Sequence, residues 1–228
     1  MKKLREKHSQ IQVSRTYDME ECLEHYQFNA ISCPKDTTEL IFHSMISNIA
    51  SKATINDIVF VVISAHGKVE NGVGGIIFFK SDGGGNEIFI DYPTINNWLK
   101  EITCAKMILI IDACRSGSAR EDMTGGNCPR VIYCSCQEDE LSTGYFIDKY
   151  TLVIGQYSYS VNEADQNFGN DDEQISTHEA YLWYNDFFAQ QNYCEVIGGV
   201  EYYQHPSEIV NSWAWTGEFF LGGYHEVI

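Results

Sequence analysis

Two apolar runs limit what this chain can fold into more than anything else in it: DIVFVVIS at residues 57–64 and KMILIID at 106–112. Both are continuous and rich in β-branched residues. That is the pattern of a strand buried on both faces, as in a parallel sheet covered by helices. RVIYCS at 130–135 reads as a third such strand. Helical patterns separate and flank them. DMEECLEHYQF (18–28) has helical spacing. DTTELIFHSMISNIASKA (36–53) adds Asp36 as an N-cap with Glu39 three residues on. PTINNWLKEIT (93–103) carries Pro93 at its first position, and THEAYLWYNDFFAQQ (177–191) reads as a further helix. GGIIFFK and EIFI flank SDGGGN, the signature of a hairpin with a glycine turn. Buried strands alternating with helices predict one α/β domain over 1–228, a mostly parallel sheet with helices on both faces.

Composition narrows the function classes. Lys and Arg number 15 against 32 Asp and Glu, a formal charge of −17, heaviest near 138–179. So acidic a chain is a poor binder of nucleic acid or an anionic membrane. The bland reading of such runs is a solvated surface; the others are cation binding and a pull on basic substrates. Eight cysteines are present, with no CxxC pair and no Cys/His group at zinc spacing. Reduced thiols in a cytoplasmic setting are expected for a chain long enough not to need disulfides. The basic start, MKKLREKH, has no apolar segment after it, so no signal peptide is expected, and no run is long enough to span a membrane.

The ends of the first two runs carry the chemistry. In parallel α/β sheets, active residues sit just beyond the carboxyl ends of strands. One run ends Ser64-Ala65-His66-Gly67 and the other Asp112-Ala113-Cys114. If the strands are neighbours, His66 and Cys114 emerge on one edge. The imidazole can then take the thiol proton, or as imidazolium favour the thiolate. Gly67 lets the backbone approach a bound carbonyl, and its N–H and that of Cys114 can donate to an oxyanion. A lone cysteine at a strand end is usually a small core residue, and a lone His-Gly is often only a turn. The pair at equivalent strand ends is what points to Cys-His acyl transfer.

FVVISAHG followed by KMILIIDACRSGS resembles the cysteine peptidases of the caspase-like clan, with His66 and Cys114 separated by 48 positions. The resemblance is closer to the legumain-like family, whose Lys-Met, apolar strand, acid-Ala-Cys, Ser-Gly-Ser block KMILIIDACRSGS matches nearly residue for residue. RVIYCSCQEDELSTGY is similar to that family's next strand and Glu-Ser segment. YSYSVNEAD is similar to its pocket-side Tyr-Ser-Val-Asn stretch, and HPSEIVNSWAWTGEFFLGGY to the terminal segment of microbial members. The resemblance covers roughly residues 18–224. It implies a caspase-like three-layer α/β sandwich, His66 as general base or imidazolium partner, Cys114 as nucleophile and Gly67 as oxyanion donor. It also implies that Asp112 and Ser160 line the S1 pocket, with Arg15 near the place of a pocket arginine. The family's first strand should precede Arg15, but MKKLREKHSQIQVS supplies at most a short polar one, and Val13 stands near where a pocket asparagine is expected.

DQNFGNDDEQISTHE (165–179) resembles an EF-hand loop through Asp165, Asn167, Asp171 or Asp172, Ile175 and Glu179. The loop is longer than a regular one and its glycine is displaced. It reads either as a degenerate calcium site or as an acidic loop ending in a helix capped by Ser176 or Thr177 with Glu179. NGVGG (71–75) lacks the Lys-Ser/Thr of a phosphate loop. Trp213 and Trp215 alternate as in a packed strand. The expected activity is cysteine endopeptidase action on protein or peptide substrates through a thioester, needing no cofactor, with asparagine or a basic residue at P1. The alternatives are a transpeptidase or transamidase on the same dyad, and an inactive caspase-like interaction domain. The sequence leaves the oligomeric state open.

Overall fold

A computed structural model describes residues 19–24, 26, 28–33, 37–79, 86–119, 122–154, 163–169, 174–191, 194–197, 200–210 and 220–223. In chain order the elements begin with helix α1 (19–24), α2 (Glu39–Lys52), β1 (Ile58–Ser64), β2 (His66–Glu70), β3 (Val73–Phe79) and β4 (Glu87–Asp91). Then come α3 (Tyr92–Leu99), β5 (Lys106–Asp112), a 3-10 turn (Ser116–Ala119), β6 (Arg130–Cys134), α4 (Tyr145–Ile154) and α5 (Glu163–Phe168). The last are β7 (Gln174–Ser176), α6 (Thr177–Gln191), β8 (Cys194–Ile197), β9 (Val200–Tyr203), β10 (Ser207–Val210) and β11 (Phe220–Gly223). They group into two compact units. One holds residues 33–143 and 204–215; the other holds 1–32, 144–203 and 216–228.

The first unit is built on a sheet of order β1-β5-β6-β10. β1 and β6 run parallel to β5, and β10 is antiparallel to β6. The unbroken apolar sequence of β5 has the expected consequence: Met107 through Asp112 are all buried. β1 departs from the expectation of burial on both faces. Val59, Val61 and Ile63 are buried while their neighbours are half-buried or exposed. Those three pack in one core with Leu109 and Ile111 of β5, Phe42 and Ile46 of α2, and Ile95 and Leu99 of α3. A second sheet, β2-β3-β4, is fully antiparallel. β3 and β4 are the two arms of the expected hairpin; the glycine turn joining them lies outside the described residues.

Local chemistry moves two helix starts. Thr38 caps α2, its Oγ1 accepting from the Ile41 N–H at 3.3 Å, whereas Asp36 lies outside the described residues. Asp91 caps α3 by accepting from the Thr94 N–H at 2.8 Å, which leaves Pro93 at the second helical position. The helix stops at Leu99 rather than near residue 103.

The second unit contains α1, α4, α5 and α6 and two small antiparallel pairs, β7 with β11 and β8 with β9. Met19, Cys22 and Leu23 of α1, Phe146, Ile147 and Tyr150 of α4, and Tyr184 and Phe188 of α6 are buried. Phe146 meets Tyr184 edge-on with ring centroids 4.4 Å apart. α6 begins with a reciprocal cap: the Ser176 N–H donates to Glu179 Oε2 at 2.7 Å, and the Glu179 N–H donates to Ser176 Oγ at 3.1 Å. Among the described residues no helix is long and apolar enough to cross a membrane.

Candidate active site

The register of β1 on β5 aligns the two reactive strand ends. Ser64 pairs with Asp112, and the Ala65 N–H continues the ladder to the Asp112 carbonyl at 3.2 Å. His66 and Cys114 therefore stand at equivalent positions, two residues past the last pair. His66 does not open a loop, as its Ser-Ala-His-Gly context suggests. It is the first residue of β2 and pairs with Ile77 of β3. The chain bends at Ala65 and passes from one sheet to the other with His66, half-buried, at the corner.

Gly67 explains how closely the two backbones meet. A Cβ built there would lie 3.1 Å from the Ala113 Cβ and 3.2 Å from the Cys114 carbonyl carbon, and well inside contact distance of the Cys114 carbonyl oxygen. Only glycine fits, because the Gly67 backbone lies directly on that of Cys114. Gly74 of β3 allows a similar close approach, since a Cβ there would collide with the Ser118 side chain.

The turn after Cys114 is held from several sides. Arg115 has φ 61°, the left-handed region that costs a residue with a Cβ roughly 1–2 kcal/mol. The surroundings enforce it: the Arg115 N–H donates to the Glu140 carbonyl at 2.8 Å, and Ser118 Oγ donates to the Arg115 carbonyl at 2.6 Å. Strain of this kind at a defined turn is common where a site must be fixed in one geometry. The Ser116 hydroxyl, fully buried, accepts from the Cys136 N–H at 3.2 Å and so ties the turn to the end of β6.

Cys114 is half-buried, and its Sγ lies 3.7 Å from the Ser142 carbonyl oxygen, an acceptor that only the protonated sulfur can use. Burial pushes the Cys114 thiol above its ordinary range, and the negative charge of Asp112 adds to that effect. Both effects favour the protonated thiol at Cys114. Asp112 itself is 1% exposed and accepts a hydrogen bond from Ser142 Oγ at 2.5 Å. Ser142 therefore touches both groups, through its hydroxyl and its carbonyl. Behind it, Gln204 Oε1 accepts from the Thr143 N–H at 2.9 Å and from the Thr143 hydroxyl at 2.6 Å, while Gln204 Nε2 donates to the Ser135 carbonyl at 2.8 Å. Glu140 accepts through its carboxylate from the Gln137 N–H and the His205 N–H, and meets the His205 ring.

His66, Gly67, Asp112 and Cys114 thus gather at one sheet edge of the first unit. Arg15, Ser160 and Asp171 lie outside the described residues, as do Trp213 and Trp215. Asn167 is exposed on α5, where the Asp165 side chain is not among those described, and Glu179 takes part in the α6 cap. No group of three or more His, Cys, Asp or Glu suited to a metal occurs among the described residues. Sequence reasoning missed Ser142, Thr143 and Gln204. The only trace of the first two was the QEDELSTGY segment, and nothing in the sequence marks Gln204.

In comparison with protein-family models, residues 16–183 match a peptidase family described as the caspase domain. No curated protein matches the chain.

Proposed function

This chain belongs to the caspase domain family, a family of cysteine peptidases, and from that premise we propose that it is an endopeptidase whose Cys114 and His66 form the catalytic dyad. The observation that carries the reading is the seat of the Gly67 backbone on Cys114, at the edge where β1 and β5 end in register. That arrangement supports a site in which a bound peptide carbonyl meets one sulfur, one imidazole and two backbone N–H groups.

The thiol form favoured at Cys114 sets the order of events. In this reading His66 takes the Sγ proton as the sulfur attacks the scissile carbonyl, acting as a general base. Negative charge moves to the carbonyl oxygen, toward the N–H groups of Gly67 and Cys114. The carbon–nitrogen bond breaks as His66 returns the proton to the leaving amine. A thioester remains, and water, deprotonated by His66, hydrolyses it and restores the thiol. The residues do all of this without a cofactor.

Within the clan, the KMILIIDACRSGS block favours the legumain-like side. There Asp112 reads the P1 side chain, asparagine or a basic residue. A buried carboxylate can bind a cationic side chain as an ion pair, or an amide by accepting its N–H. The test is labelling by a peptidyl ketone and turnover of fluorogenic peptides in Cys114→Ala, His66→Ala and the double variant. Each single change is expected to lower kcat by several orders of magnitude and to abolish labelling, and the losses should not add. Full turnover in either variant would remove the dyad.

A further inference from the structure

Two other cysteines meet at the far end of the same strands. Cys104 comes two residues before β5 and Cys128 two residues before β6. β5 and β6 are parallel, with Met107 opposite Arg130, so both cysteines lie at the amino edge of the sheet, away from Cys114. Their sulfurs are 2.8 Å apart, and both residues are buried, at 5% and 4% exposure. The segments carrying them are tied together independently: Asn127 Nδ2 donates to the Lys100 carbonyl at 2.6 Å, and the Met107 N–H donates to the Pro129 carbonyl at 2.8 Å. The sulfurs need to approach by less than about 1 Å to reach bonding distance.

A second observation concerns Arg130. The residue is 1% exposed. Nη1 donates to Asn96 Oδ1 at 2.8 Å and to the Met123 carbonyl at 3.0 Å, but Nε and Nη2 lack a hydrogen-bond partner among the described residues. No carboxylate pairs with it among them. A buried cation is costly unless an anion lies beside it. The group in place to become that anion is the Cys128 sulfur. The S–H donated by Cys104 and the positive charge of Arg130 pull the Cys128 thiol below its ordinary range.

We propose that Cys104 and Cys128 form a redox-active dithiol that hydrogen peroxide converts into an intramolecular disulfide, separate from the catalytic thiol. The Cys128 thiolate attacks one peroxide oxygen and the O–O bond breaks. This leaves Cys128 sulfenic acid and a hydroxide that is protonated to water. Cys104 then attacks the oxidised sulfur, its proton leaving with the departing hydroxyl as a second water. Two thiols are oxidised by two electrons and one peroxide is reduced. The bond closes a segment that contains all of β5 and the Cys114 turn, and so restrains the piece of chain that presents the nucleophile without touching it. A thiol reductant reverses it.

The experiment treats the intact chain with dilute peroxide, alkylates the remaining thiols and maps the peptides by mass. The expected product is a Cys104–Cys128 linked peptide, two hydrogens lighter than its parts and restored by reductant. The melting temperature should rise by about 5–10 °C in step with linkage. In Cys104→Ser the sulfenic acid on Cys128 should persist and be trapped by dimedone, and in the reduced state this variant should turn over peptides like the unaltered protein. Two free thiols at 104 and 128 under conditions that oxidise Cys114 would overturn the proposal. So would linkage with an unchanged melting temperature, or no trapping in Cys104→Ser.

Discussion

Gly67→Ala is the sharpest probe of the arrangement, because it adds one methyl group where the backbone of the His66 strand rests on Cys114. The new Cβ would lie 3.1 Å from the Ala113 Cβ and well under 3.0 Å from the Cys114 carbonyl oxygen, and neither obstacle is the flexible end of a side chain. The start of β2 must therefore move by an amount on the order of 1 Å. Overpacking of this kind costs about 1–3 kcal/mol, which for a chain of this length lowers the melting temperature by about 2–10 °C. The catalytic cost is larger. Moving the proposed oxyanion donor and the proposed base attached to it should lower kcat by about 100- to 1,000-fold while KM changes little. Gly72→Ala is the control. Gly72 has φ +81° with nothing near its missing Cβ, so alanine there costs about 1 kcal/mol of backbone strain and leaves kcat unchanged. The assay is steady-state hydrolysis of a fluorogenic peptide beside a thermal melt of each variant. An unaltered kcat in Gly67→Ala, or an equal loss in Gly72→Ala, would refute the reasoning.

Stability should fall in alkali. Burial pushes the thiols of Cys22 and Cys136 from 9.0 to about 12 and about 11. Because the folded values are the raised ones, the stability tied to them is complete below about pH 9. It drains from about pH 9 until pH passes the folded values at about 11 and 12, by roughly 1.4 kcal/mol per pH unit for each thiol. Urea melts at pH 8 and 10.5 measure the slope, and Cys136→Ala should flatten it. Asp112→Asn should lower kcat/KM at least about 100-fold on the preferred member of a P1 asparagine–arginine peptide pair. Ser142→Ala, which removes the same hydrogen bond but leaves the charge, should cost about 1–2 kcal/mol of stability and keep the preference. If neither peptide responds to Asp112→Asn, the carboxylate is structural. The α6 cap takes up Glu179 Oε2, which accepts from the Ser176 N–H, and a cap of this kind needs no cation. Melting temperatures in calcium and in chelator should then agree, with Ser176→Ala lowering both by about 1 kcal/mol of stability; a fall on chelation alone would assign the acidic loop to calcium.

What could be read in advance depended on how much of the signal was local. KMILIID is a strand from Lys106 to Asp112 because seven residues in a row have one place to go, and THEAYLWYNDFFAQQ is a helix over the residues expected. β2 was not legible. HGKVE is short, half-exposed and held by its β3 partner rather than by its own composition. α4 was not legible either, because the aromatic and β-branched residues of YFIDKYTLVI mask its helical spacing. The shift of the α2 cap from Asp36 to Thr38 is a difference between two residues with similar capping ability. That His66 and Cys114 stand at equivalent strand ends followed from the strand patterns alone. The shell behind them did not: Gln204 reaches Thr143 from 61 residues away, and Cys104 meets Cys128 across a crossover of 24. Such contacts leave no periodicity in a sequence.

That long return of Gln204 also puts the site on a clock. Loop 142–143, which gives the Cys114 sulfur its acceptor, is held by the Ser142 hydroxyl on Asp112 and gains a second hold when Gln204 arrives between Thr143 and Ser135. During synthesis the 61 residues between anchor and loop take roughly 3 to 12 s to add. A nascent chain that already displays both His66 and Cys114 must wait through that interval with the thiol's support unfinished. The order of its segments therefore completes the surroundings of Cys114 well after Cys114 itself has been synthesised.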